Sequence, residues 1–143
     1  MKYSRLLKPM LITLAITLKC TLLSAQSKDS IIGIWHVEEV AMTSKISPIE
    51  QQPFNMIKKA FRKSTFTFKA NHQAVVTSDD PELRIDNGYW EYTADKKIIT
   101  ITEWKDRMAK QKGVLMAIFV KDESDGKTYF YLDETPIKLS VKR

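Results

Sequence analysis

From Ile31 to the C-terminus, short apolar and β-branched runs alternate with stretches rich in Asp, Asn, Lys, Gly and Pro. That alternation is the pattern of β-strands joined by turns. The runs are Ile31–Thr43, Ser64–Ala70, Gln73–Ser78, Leu83–Thr93, Ile98–Trp104, Gly113–Lys121, Lys127–Leu132 and Ile137–Arg143. Asn71-His72 divides the second from the third, Ala94–Lys97 the fourth from the fifth, and Asp133–Pro136 the seventh from the eighth. Asp125-Gly126 supplies a hairpin signal between the sixth and seventh. Eight strands with short connections are enough to close an antiparallel up-and-down barrel, which leaves no strand edge open. The last run alternates, with Ile137, Leu139 and Val141 on one face and Lys138, Ser140 and Lys142 on the other. The sixth is apolar on both faces from Val114 to Val120. A buried helix would also be apolar all round, but Val114, Ile118, Phe119 and Val120 favour a strand whose outer face needs a cover.

One segment departs from this pattern. In Ser47–Lys63, Phe54, Ile57, Ala60 and Phe61 recur at helical spacing, with Lys58, Lys59, Arg62 and Lys63 mostly opposite. Pro53 suits a first helical turn. The spacing predicts a short amphipathic helix between strands 1 and 2 that caps one mouth of the barrel, its bases solvated. The competing role is a membrane-surface or partner-binding helix, but about ten residues hold a lipid surface weakly without a second anchor.

Residues 1–25 change the reading of charge. They hold Lys2, Arg5, Lys8 and Lys19, an apolar stretch from Met10 to Leu18, and small residues at Ser24-Ala25. This is the layout of a secretory signal peptide. Its apolar stretch falls short of the roughly 20 residues a membrane anchor requires. Lys19 precedes Cys20, where a lipoprotein signal carries a small residue. The Ser24-Ala25-Gln26 ending resembles secreted proteins of Bacteroidetes-type bacteria, cleaved here after Ala25. The expected location is therefore periplasmic or extracellular. The whole chain has 23 basic and 17 acidic residues, a formal charge of +6; without residues 1–25, 19 bases face the same 17 acids. The domain expected over 26–143 is thus nearly neutral and free of cysteine, which argues against a nucleic-acid binder, a disulfide framework and a thiol nucleophile.

Catalytic chemistry finds little support. His36 follows Trp35 in a strand, so the two point to opposite faces, and His72 falls in a turn. Neither has the neighbours a metal site requires. Glu38-Glu39 alternate across a strand and Asp122-Glu123 lie at a turn, so neither pair forms a glycosidase constellation. Nucleophile elbows, phosphate-binding glycine loops and zinc-protease helices are missing from the sequence. The expectation is no catalytic residue, no metal and no cofactor.

Aromatic residues recur at strand positions. Trp35, Phe68, Trp90, Tyr92 and Tyr131 are the candidates to line an interior that holds an apolar ligand. Equally, such rings can fill a small barrel and leave no cavity. Ile32-Gly33-Ile34-Trp35, at the start of an eight-strand meander, resembles the Gly-x-Trp signature of lipocalins, and Gly88-Tyr89-Trp90 repeats the pattern. The sequence from Phe66 to Ser78 and from Gly88 to Glu103 is similar to small secreted lipocalin-like domains of Bacteroidetes-type bacteria. The resemblance implies that Gly33 admits a close backbone approach, that Trp35 plugs the closed end, and that a basic residue late in the last strand, Lys142 or Arg143, packs over it. It assigns Gly88 a structural role too. For function it implies a non-catalytic binding module for a small apolar molecule. The alternative is a protein-interaction module, an inhibitor or envelope-complex subunit, with a filled barrel and contacts through the sixth strand or the basic helix.

Overall fold

In the computed structural model, which describes residues 27–143, the eight runs form eight strands in one closed antiparallel barrel. They are β1 (Gly33–Met42), β2 (Thr65–Phe68), β3 (Gln73–Val76), β4 (Ile85–Thr93), β5 (Ile98–Glu103), β6 (Val114–Asp122), β7 (Thr128–Leu132) and β8 (Ile137–Lys142). Each pairs with the next in sequence, and β8 returns to β1 to close the ring. The expected export signal, with cleavage after Ala25, lies outside the described residues.

Turn chemistry sets the hairpins. His72, Lys97 and Glu134 have φ of 69°, 54° and 57°, and Gly126 has 79°. These are the positions where tight turns need left-handed backbone. The alternation of β1 is broken once. Val37 faces Val141 while Glu39 faces Ser140, so a bulge at Glu38 leaves both Glu38 and Glu39 exposed before Val40 returns to the core. The expected alternation of the two glutamates across the strand is corrected by this extra residue.

Between β1 and β2 lies the helix α1 (Pro48–Phe61). Ser47 and Glu50 form a reciprocal capping box at its start, and Pro48, not Pro53, occupies the first turn. Pro53 sits inside the helix on an exposed position, where its ring forgoes the hydrogen bond to the Ile49 carbonyl. As the spacing predicts, Ala60 and Phe61 are buried, Phe54 and Ile57 pack on the core, and Lys58, Lys59, Arg62 and Lys63 are exposed.

α1, the β3–β4 and β5–β6 connections and the β7–β8 turn share one end of the barrel, the mouth. The start of β1 and the other three hairpins form the opposite, closed end. Near the closed end the interior is aromatic: Phe66, Phe68, Trp90 and Phe130 are all buried. Phe130 meets Trp35 at 5.5 Å, Phe66 at 5.5 Å and Phe68 at 6.4 Å, mostly edge to face, and Phe68 meets Trp90 at 5.4 Å. Toward the mouth, Val40, Val76, Ile85 and Ile137 fill the interior, and Phe61 of α1 closes over them, stacked on Phe66 at 6.3 Å. The barrel is therefore a packed core over most of its height. Gly88 belongs to this packing: a Cβ there would lie 2.7 Å from Ile101 Cγ2 and 3.2 Å from the Ala74 carbonyl oxygen.

Candidate functional site

Of the five aromatic residues expected inside, four point inward. Trp35, Phe68 and Trp90 are buried, and Tyr92 is half-buried on the inner side of β4 near the closed end. Burial, with the Asp122 carboxylate second, raises the Tyr92 hydroxyl above its ordinary pKa.

Tyr131 corrects the expectation. On β7 the inward positions belong to Phe130 and Leu132, so Tyr129 and Tyr131 face out. The Tyr131 hydroxyl donates to Glu123 Oε1, and Lys138 Nζ reaches the same carboxylate at 2.9 Å. Lys138 also lies 3.8 Å from the centre of the Tyr129 ring, whose hydroxyl donates to Asp125 at 2.6 Å. That hydrogen bond, with burial second, pushes the Tyr129 hydroxyl up to about 12. Because the folded value is raised, the stabilisation holds below the ordinary tyrosine range near pH 10 and is lost as pH climbs toward 12. A spectrophotometric titration is expected to show tyrosine ionisation extending to about pH 12, and Asp125→Asn to bring the Tyr129 component down toward the ordinary range. An unchanged profile in that variant contradicts the assignment.

The closed end carries the arrangement that the Gly-x-Trp resemblance implies. Trp35 Nε1 donates to the Ile31 carbonyl at 2.9 Å, and the Arg143 guanidinium lies 4.7 Å from the Trp35 ring centre. Arg143 also donates to the Ser30 carbonyl, tying β8 to the 3-10 turn Lys28–Ser30. Gly33 sits beside the Arg143 side chain at φ 144°, a backbone conformation that strains any residue with a Cβ. Arg143→Ala is expected to lose about 1 kcal/mol, for an exposed cation over a ring plus one hydrogen bond. It should also raise acrylamide quenching of tryptophan. A denaturation midpoint equal to that of the parent protein would contradict this role.

His72 is held at the closed end, away from the mouth. Its Nδ1 donates to the Trp90 carbonyl oxygen at 2.8 Å, which makes Nε2 the acceptor for Lys28 Nζ at 2.6 Å. The imidazole stacks on Tyr89 at 5.3 Å. Both ring nitrogens are occupied by contacts that stitch the 3-10 turn to the β2–β3 hairpin. His36 is exposed on the outside of β1.

The open geometry is at the mouth. β7 pairs with β6 only over Ile118–Asp122, so Val114–Ala117 extend past the end of β7. Beside this overhang lies a half-open cleft of about 600 Å³, bounded by Ile57 and Phe61 of α1, Leu83, Leu115, Met116, Leu132 and Ile137. Its floor is the buried core, and among the described residues the charged ones on its rim are Asp133 and Glu134 of the β7–β8 turn. The cleft is of the size and lining that take a small apolar molecule. None of the five expected interior aromatics lines it. Apart from Phe61 of α1 the apolar ones that do are aliphatic or small, and the length mismatch between the two strands is the sequence signal for them: nine residues in β6 against five in β7.

The fold and this cleft define a closed eight-stranded antiparallel barrel capped by one helix, with an apolar slot between the cap and the wall. Among family models, curated proteins and solved structures, no match to the chain is found.

Proposed function

We propose that the protein is a lipocalin-like binding protein that takes a small hydrophobic molecule in the mouth cleft, without catalysing its conversion. The observation that carries this reading is the apolar cleft between α1 and the β6 overhang, set above a core too well packed to admit a ligand more deeply. Burying apolar surface there releases about 25 cal/mol per Å² before ordering costs are subtracted. The Gly33–Trp35–Arg143 contact supports the lipocalin-like kinship. The structural employment of His72 supports binding over acid–base chemistry. The layout of residues 1–25 supports export to the periplasm or beyond. Native mass spectrometry of protein purified from its source, followed by organic extraction, tests the reading. An apolar compound should co-purify at a defined stoichiometry. A protein that carries none, and whose tryptophan emission ignores fatty-acid probes, would sink the proposal.

One observation favours the second reading, a protein-interaction module. Phe119 is 38% exposed on the outer wall, in a cross-strand row with Ile98 and Tyr131. If this row is the working surface, Phe119→Ser should abolish partner capture while leaving apolar probe binding intact.

A further inference from the structure

We infer that the ligand of the mouth cleft is an amphiphile with an uncharged, hydroxylated headgroup, seated on a second cleft that adjoins the first. This rests on the apolar-ligand reading above and specifies the other half of the molecule. The second cleft, about 430 Å³, shares Leu83, Leu115 and Met116 with the apolar one, so the two are continuous along the mouth. Its character is different: polar side chains surround one indole, that of Trp104.

The wall on the β4 side is built by a bulge. Ala74 faces Gly88 while Val76 faces Ile85, so β4 carries one residue more than β3 between these pairs. The extra residue leaves Asp86 and Asn87 both exposed, side by side on the cleft wall, where strict alternation would have turned one of them inward. Trp104 follows β5 directly and is fixed from outside the cleft. Arg107 lies 4.8 Å from its ring centre, and the Tyr89 ring meets it at 5.9 Å. An anchored indole beside a carboxylate and an amide is suited to a sugar-like ring: C–H groups pack on the aromatic face, and hydroxyls donate to Asp86 while exchanging hydrogen bonds with Asn87.

The charges oppose an anionic headgroup, since Glu82, Asp86 and Glu103 outnumber Arg84 and Lys105. A cationic one gains little, because Glu82 and Asp86 are exposed and their attraction is screened by solvent. Lys105 is already paired with Glu103 at 2.6 Å, and Arg84 donates to the Ser78 carbonyl at 3.3 Å. What remains available is hydrogen-bonding capacity of mixed sense, which an uncharged polyol uses without leaving a desolvated ion unpaired.

Four probes of equal chain length separate the alternatives by calorimetry below their micelle concentrations: octyl glucoside, octanol, octanoate and octyltrimethylammonium. Octyl glucoside is expected to bind about tenfold more tightly than octanol, the increment of one or two well-made hydrogen bonds. In the double variant Asp86→Ala/Asn87→Ala, at two exposed positions, that ratio should fall to near one with octanol affinity unchanged. If the glucoside binds no better than octanol, or either ion binds best, the headgroup inference is overturned while the apolar cleft stands. If octanol too fails to bind, the apolar-ligand reading fails and this inference with it.

Discussion

Trp90→Ala is expected to cost about 3–5 kcal/mol, the usual range for truncating a fully buried aromatic side chain. Trp90 is 0% exposed, its ring meets Phe68 at 5.4 Å, and its Nε1 donates to the Lys69 carbonyl at 2.9 Å. Removing the indole therefore leaves a cavity in the aromatic tier and deprives the β2–β3 turn of its internal donor. The stack beneath the turn goes as well, since His72 packs against Trp90 at 5.5 Å. Equilibrium urea unfolding should show a midpoint that falls steeply with little change in slope. A loss below about 1.5 kcal/mol would mean that the interior is less tightly filled than the packing described above, since well-collapsed sites give the small end of the range.

Leu115→Asp is expected to act on binding rather than folding. Leu115 is 46% exposed and borders both mouth clefts, so a carboxylate there remains solvated in the free protein. Its folding cost should stay within about 0.5 kcal/mol. When an apolar chain occupies the cleft, however, the carboxylate must shed water without gaining a partner, at a cost of about 1–3 kcal/mol. Octanol affinity should accordingly drop roughly tenfold to a hundredfold. Equal affinities for parent and variant would place the ligand elsewhere on the molecule.

Much of the barrel is legible in the sequence because turn residues and period-two alternation specify strands locally. The helix between β1 and β2 is legible for the same reason, from Phe54, Ile57, Ala60 and Phe61. Two kinds of feature escape such reading. One is irregularity: the bulge at Glu38 and the bulge before Gly88 add a residue to one strand only, and their positions depend on the partner strand rather than on the run itself. The other is choice of face where both faces are apolar or aromatic. In Tyr129-Phe130-Tyr131-Leu132 either pair could have turned inward by hydrophobicity alone. The hydroxyls decide it, since Glu123 and Asp125 can serve Tyr131 and Tyr129 only on the outside. The same ambiguity hid the candidate site. Aromatic residues on the strands point the prediction toward the barrel axis, whereas they fill the core, and the accessible cleft is lined mainly by aliphatic residues of α1 and of the ends of strands of unequal length. The contact of Trp35 with Arg143, 108 residues away in sequence, is anticipated only through the Gly-x-Trp resemblance, which left Lys142 and Arg143 as alternatives; the local pattern around Trp35 does not choose between them.

The central claim is that a solid barrel binds its ligand at the mouth, between α1 and the β6 overhang. The most direct test is a titration of isotope-labelled protein with octanol, followed by methyl resonances in NMR spectra. The methyl groups of Ile57, Leu83, Leu115, Met116, Leu132 and Ile137 should shift together and saturate with one common affinity, while those of Ile99 and Ile118 in the buried core stay in place. Saturable shifts centred on the core residues, or no saturable shift at the mouth, would contradict the account.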